Sequence, residues 1–131
     1  MVGSQTMNTS TQGIILFAHG SRDPLWHKPM EAVAQQIQLT NHQMHVMCAY
    51  LELSTPDLAT AAQTLIDAGV RLITIVPMFL GVGKHAREDL PLLVAELSQA
   101  HPSMEFTLQK AVGEDHRLIQ VLARIALNHP E

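Results

Sequence analysis

Short continuous apolar runs alternate strictly with helical-period apolar stripes along this chain, and that alternation leaves few folds open. Gly13-Ile-Ile-Leu-Phe-Ala18 is the first run, ending at His19-Gly20. Such a run fits a strand buried on both faces, as in a parallel sheet. Asp23-Pro24 then supplies a helix cap followed by proline at the first helical position. Trp26, Met30, Val33 and Ile37 recur at helical spacing, with Pro29 placed to restart or kink the helix. The second strand is predicted over Val46–Leu51, ending at Glu52, and Ser54-Thr55-Pro56-Asp57 repeats the cap-then-proline signal. Leu58, Ala61, Ala62, Leu65 and Ile66 form the next stripe, stopped by Gly69.

The third strand, Leu72–Val76, runs through Pro77 into Met78, Phe79, Leu80 and the Gly81-Val82-Gly83 loop. Leu90, Leu93, Val94 and Leu97 mark a third helix. Met104, Phe106 and Leu108 alternate with polar residues, which predicts a half-exposed fourth strand at a sheet edge. Leu118, Val121, Leu122, Ile125 and Ala126 give a last helix the same stripe as the second. Strict strand–helix alternation implies an α/β single domain: a four-stranded, mostly parallel sheet with helices on both faces, joined by right-handed crossovers. Ligands of such open sheets bind beyond the carboxyl ends of the strands.

Composition narrows the function classes. A hydrophobic fraction of 47% with 15% charged residues suits one compact core in 131 residues. The formal charge of −4 lacks the basic footprint of a nucleic-acid binder. No stretch approaches the length of a membrane span, and the N-terminus lacks a signal peptide's apolar core. The single cysteine, Cys48, cannot form an intrachain disulfide and reads as a buried structural thiol in a reduced, cytoplasmic compartment. Residues 1–12 are polar and aperiodic, a flexible leader with Met7 a candidate start, and residues 13–131 form the domain.

Three residues able to ligate a metal fall at or just past three successive strand ends. His19 follows the first strand, Glu52 the second, and His85 lies in the loop after the third. The spacing is 33 residues in both intervals, about one strand–helix unit each. Any one of them alone has a plain structural use as a loop hydrogen-bonder or solvated carboxylate. Together at one sheet edge, two imidazoles and a carboxylate make a borderline N/O set suited to cobalt, iron, nickel or zinc. The other histidines, His27, His42, His45, His101, His116 and His129, read as surface residues on helices or turns. Of eight basic residues, Arg22, Lys84 and Arg87 lie within three positions of His19 or His85. Local positive charge of that kind suits a polycarboxylate ligand, although exposed basic residues are also simply solvated. Gly20, Gly81 and Gly83 either let backbone approach a flat ligand or satisfy turn geometry. Met78, Phe79 and Leu80 offer an apolar wall or the buried end of a strand.

At these residues the chain resembles the sirohydrochlorin chelatase family of the CbiX type. The resemblance lies in Ile14-Ile-Leu-Phe-Ala-His-Gly-Ser-Arg-Asp-Pro24, in Ala49-Tyr-Leu-Glu52 with Thr55-Pro56, and in Ile75-Val-Pro-Met-Phe-Leu-Gly-Val-Gly-Lys-His-Ala-Arg-Glu-Asp-Leu-Pro91. It implies a class II chelatase fold and insertion of a divalent metal into sirohydrochlorin, with cobalt first and iron or nickel as alternatives. It further implies that His19 and His85 bind metal assisted by Glu52, and that the chain pairs as a homodimer with the active site between subunits. The metal is a substrate, and no permanently bound cofactor is expected. Arg22, Lys84 and Arg87, with Gly81 and Gly83, would face the substrate, and one of the two histidines would take a pyrrole proton. Two rivals stand beside this reading. One is a metal or tetrapyrrole carrier without turnover. The other is a histidine phosphatase, disfavoured because Ala18 stands where that chemistry places a phosphate-clamping arginine.

Overall fold

The computed structural model describes residues 11–128, so most of the expected leader and His129 lie outside the described residues. The elements in chain order are β1 (Gln12–Ala18), a 3₁₀ turn (Pro24–His27), α1 (Lys28–Thr40), β2 (His45–Tyr50), α2 (Leu58–Asp67) and β3 (Leu72–Pro77). They continue with α3 (Lys84–Ala100), β4 (Glu105–Leu108), a second 3₁₀ turn (Val112–Glu114) and α4 (His116–Ala126). Among the described residues the sheet has four strands, all parallel, in the order β2-β1-β3-β4.

The register explains why the apolar runs are continuous. Leu16 pairs with Cys48 on one side and Val76 on the other, and Phe17 with Ala49 and Pro77. On one face Ile15, Phe17, Ala49, Ile73 and Ile75 meet α2 and α3 in the larger core. On the other, Leu16, Ala18 and Tyr50 meet Met30 of α1. A strand sandwiched this way needs apolar side chains at every position. β4 lies at an edge with Glu105 and Thr107 exposed, as its alternation predicts.

Local chemistry sets the boundaries. The Asp23 carboxylate accepts from Leu25 N–H at 3.0 Å and caps the 3₁₀ turn, and Pro29 then restarts the chain as α1 rather than kinking a longer helix. Ahead of α2 the expected order of cap and proline is reversed. Asp57 is the cap, accepting from Thr60 N–H at 2.9 Å, and Pro56 precedes it after a cis peptide. β2 begins and ends one residue earlier than predicted, which leaves Leu51 in a bend and half out of the sheet.

α4 departs most from expectation. Its stripe matches that of α2, yet none of its residues is buried, whereas α2 buries Leu58, Ala61, Ala62 and Leu65. Ile125 is 66% exposed and Val121 41%. α1 covers the β2–β1 half of its sheet face, and Val76 and Met78 on the other half stay half-buried. Ile75→Ala, which opens a cavity beneath a fully buried strand position, should cost about 2–5 kcal/mol in urea unfolding.

Candidate functional site

From β1 the chain crosses to β2 on one side, and later elements build β3 and β4 on the other. The loops leaving β1 and β3 therefore part company, and a crevice opens between them at the carboxyl ends of the strands. A cleft of about 270 Å³ lies there, and His19, Lys84, His85 and Asp89 are its polar residues. Phe79, itself buried, forms part of its apolar floor together with Leu90. The His19 ring lies against Phe79 with centroids 4.3 Å apart and planes 34° from parallel, so packing sets its orientation. Phe79 is held edge-on by Phe17 at 6.4 Å.

His85 sits in a helix, not in the expected loop: α3 begins at Lys84, one residue before it. Gly83 is the cap residue and contributes no side-chain hydrogen bond, and it lines the cleft with Lys84 and His85 of the α3 first turn. A helix beginning at residue 84 places residues 85 and 89 one turn apart on one face, which explains why Asp89 joins His85 in the lining. Asp89 was missed in the sequence reading. Its signal was the i, i+4 spacing from His85, which has meaning only once the helix is known to start at Lys84.

The remaining predicted residues are placed differently. Glu52, Arg22, Arg87 and Gly81 do not line this cleft, while Gly83 does. Arg87 follows His85 by two helical positions, a spacing that turns it away from the His85 face. Among the described residues no three His, Cys, Asp or Glu groups converge closely enough to hold a metal ion. Glu52 is nevertheless tied to His19 through the backbone: Glu52 N–H donates to His19 O at 3.0 Å, and Leu51 N–H to Ala18 O at 2.9 Å. Gly20 makes this contact possible. It has φ +107°, and a Cβ there would stand 1.7 Å from the Glu52 carbonyl oxygen. Gly81 and Gly83 have open space where a Cβ would project, so neither is demanded by local packing. Met78, Phe79 and Leu80 divide their roles, with Phe79 buried, Met78 half-buried and Leu80 68% exposed.

The expectation of a surface position is corrected for three histidines. His27 is half-buried and hydrogen-bonded to Ser54, and His45, which begins β2, and His101 are half-buried as well. His42 and His116 are exposed as expected. Cys48 is half-buried, and burial pushes its thiol up from the ordinary value, with a hydrogen bond from Tyr50 as the opposing influence. Burial also pushes the Tyr50 hydroxyl up to about 12.

Gly20→Ala should force the loops after β1 and β2 apart, costing about 1–3 kcal/mol or more for the backbone strain alone, read by thermal unfolding. Tyr50 is the sole tyrosine, so tyrosinate absorbance reports it alone. Its titration should centre near pH 12 in the folded chain and near pH 10 in denaturant. Because the folded value is the raised one, this contribution to stability is intact below about pH 10 and is lost as pH rises through about 12.

Comparison with known proteins bears on all of this. The CbiX family model matches residues 13–127. The sirohydrochlorin cobaltochelatase of Sulfolobus acidocaldarius is 26% identical over 110 residues, covering 84% of this chain and 85% of that protein. The crystal structure of a CbiX protein from Marinobacter aquaeolei VT8 superposes with a TM-score of 0.78 at 31% identity, covering 89% of this chain and 95% of that one. The sirohydrochlorin chelatase SirB from Bacillus subtilis subspecies spizizenii, solved in complex with cobalt, shares the fold with a TM-score of 0.76 at 23% identity. It aligns over 90% of this chain and half of its own length. With its sheet order and His19 and His85 at the sheet's crevice, the chain belongs to the CbiX family.

Proposed function

We propose that this protein is a sirohydrochlorin chelatase, inserting a divalent metal into an acidic tetrapyrrole. The observation that carries this reading is that His19, from the loop after β1, and His85, from the first turn of α3, line one cleft with an apolar floor in a CbiX-family chain. Insertion removes two protons from pyrrole nitrogens while the ion exchanges water for ring nitrogens. An imidazole lone pair serves either half of that exchange, as a ligand or as a proton acceptor. His19 and His85 hold the ion in this proposal; as the ion passes to the ring nitrogens, the histidine that releases it takes one pyrrole proton and solvent water takes the other. Glu52, tied by its backbone to His19, completes the set or orients a histidine. Cobalt is the first-choice metal, in line with the named activity of the Sulfolobus relative, and iron or nickel would suit the same donors. The metal is a substrate, and no resident cofactor is proposed.

Substrate carboxylates are assigned to the positive rim. Lys84 stands at the cleft, and the free N–H groups of the α3 first turn add an anion-attracting dipole end. Arg22 and Arg87, outside the cleft of one copy, would reach the carboxylates of a macrocycle extending beyond it, passing over the open backbone at Gly81 and Gly83.

We also propose a homodimer. At about 270 Å³ the cleft falls below the roughly 300–1,000 Å³ common for small-molecule sites, and a tetrapyrrole is broad. The α4 stripe supplies the pairing surface, since Val121, Leu122 and Ile125, with Ile119 beside them, are exposed, and each would gain a part of the ~1.5–3 kcal/mol that full burial of such a side chain yields. Met78, on the sheet face opposite Phe79, lines a groove with Leu118 and Val121, so a second copy seated on α4 would pack beside the carboxyl end of β3. A cytoplasmic location is part of this proposal, and a lone Cys48 that forms no disulfide within the chain fits it. Among the described residues no helix is long and apolar enough to cross a membrane.

Anaerobic mixing of sirohydrochlorin with Co²⁺ should give a spectral change that catalytic amounts of protein accelerate. His19→Ala and His85→Ala should each slow it about a hundredfold or more. Stoichiometric binding with no acceleration would instead identify a carrier. Val121→Glu with Ile125→Glu should sediment as a monomer with its circular dichroism unchanged, because both side chains are exposed and stand outside the core clusters of their own chain.

A further inference from the structure

Beyond the cleft, a second set of contacts joins the two loops on which the proposed ligands ride. Ser21 lies two residues after His19, and Ser54 two residues after Glu52. The Ser54 hydroxyl donates to Ser21 O at 2.7 Å and accepts from Ser21 N–H at 3.0 Å. A serine hydroxyl has one proton and two lone pairs. The carbonyl can only accept, so that proton is committed to Ser21 O. His27 Nε2 lies 2.8 Å from the same Ser54 oxygen and must therefore be the donor. Hydrogen-bond counting thus selects the Nε2–H tautomer of His27. The ring is further confined by Tyr50 at 5.0 Å and Trp26 at 5.7 Å. The Ser21 hydroxyl in turn accepts from Asp23 N–H at 3.1 Å, so the lock reaches the start of the 3₁₀ turn that carries His27.

We propose that His27 and Ser54 are positioning residues for metal capture: with Ser21 they lock the loops after β1 and β2 into one body and so fix His19 relative to Glu52. The two loops are long excursions from a sheet edge, and exposed loops have many conformations to lose. Backbone bonds pin them at Leu51 and Glu52, close to the strands. The Ser21–Ser54–His27 lock pins them again on the far side of His19 and Glu52, so each proposed ligand is held from both directions. A ligand pair preset in this way binds an ion without first paying to order its loops. Neither His27 nor Ser54 lines the cleft, so both act through the loops and touch no reacting atom.

This inference rests on the proposed role of His19 and Glu52 as metal-holding groups, and the experiment separates the two ideas. Long-range ¹H–¹⁵N spectra of the wild-type chain should give the His27 ring the pattern of the Nε2–H tautomer, and an Nδ1–H pattern would overturn the lock. Titration with Co²⁺ alone, followed by its visible absorption, should then show Ser54→Ala and His27→Ala weakening binding about tenfold, in the range usual for loss of groups that support metal ligands. His27→Gln, which keeps an N–H donor, should restore most of that loss, and in turnover the defect should appear in KM for Co²⁺ more than in kcat. Folded Ser54→Ala and His27→Ala variants that bind Co²⁺ as tightly as wild type would overturn the positioning role while leaving the chelatase reading intact. A wild-type chain that binds no Co²⁺ would overturn the ligand assignment and the positioning role together, whatever the tautomer.

Discussion

β1 is hydrogen-bonded on both sides, to β2 through His45–Tyr50 and to β3 through Leu72–Pro77, and the site depends on that central pairing. The chain leaves β1 toward one edge and returns past it to build the other. Right-handed crossovers then put α1 on one face and α2 and α3 on the opposite one. The crevice between the outgoing loops is a consequence of this reversal and needs no dedicated structure. His19 occupies the β1 side and the start of α3 the β3 side.

Packing gives the crevice its stiffness. Phe79 belongs at once to the larger core, to the stack beneath His19 and to the floor of the cleft. The loop after β3 is tied down further on, where Gly113 N–H donates to Phe79 O at 3.0 Å and leaves no room for a side chain against Leu80. Gly20 performs the matching task on the β1 side by admitting the Glu52 carbonyl against its bare Cα. The His19 imidazole, stacked on Phe79, is thereby set against the cleft floor.

α4 shows where local pattern and tertiary outcome part. A helical stripe demands an apolar partner without saying which one. For α2 the partner is its own sheet, whereas the α4 stripe has only shallow cover, with Leu118 and Val121 beside Met78 and no residue of the helix buried. Asp115 anchors the first turn of α4, accepting from Arg117 N–H at 2.8 Å while the Arg117 guanidinium holds its carboxyl down to about 2. The helix is therefore well started and well capped, with its apolar side left open to a partner.

By itself, the sequence determined the class of fold, the four strands and their parallel sense, the edge position of β4, and the arrival of His19 and His85 at one end of the sheet. These follow from hydrophobic periodicity and from strand–helix alternation, which are local properties of the chain. Only the tertiary structure decided that His85 begins a helix and so brings Asp89 into the cleft, and that Glu52 reaches His19 through its backbone while staying out of the lining. It also decided that His27 is half-buried and hydrogen-bonded to Ser54 rather than a surface residue. Each of these depends on distances between segments far apart in sequence, such as the 27 positions between His27 and Ser54. No periodicity encodes those distances, because they are set by how the sheet brings loop ends together.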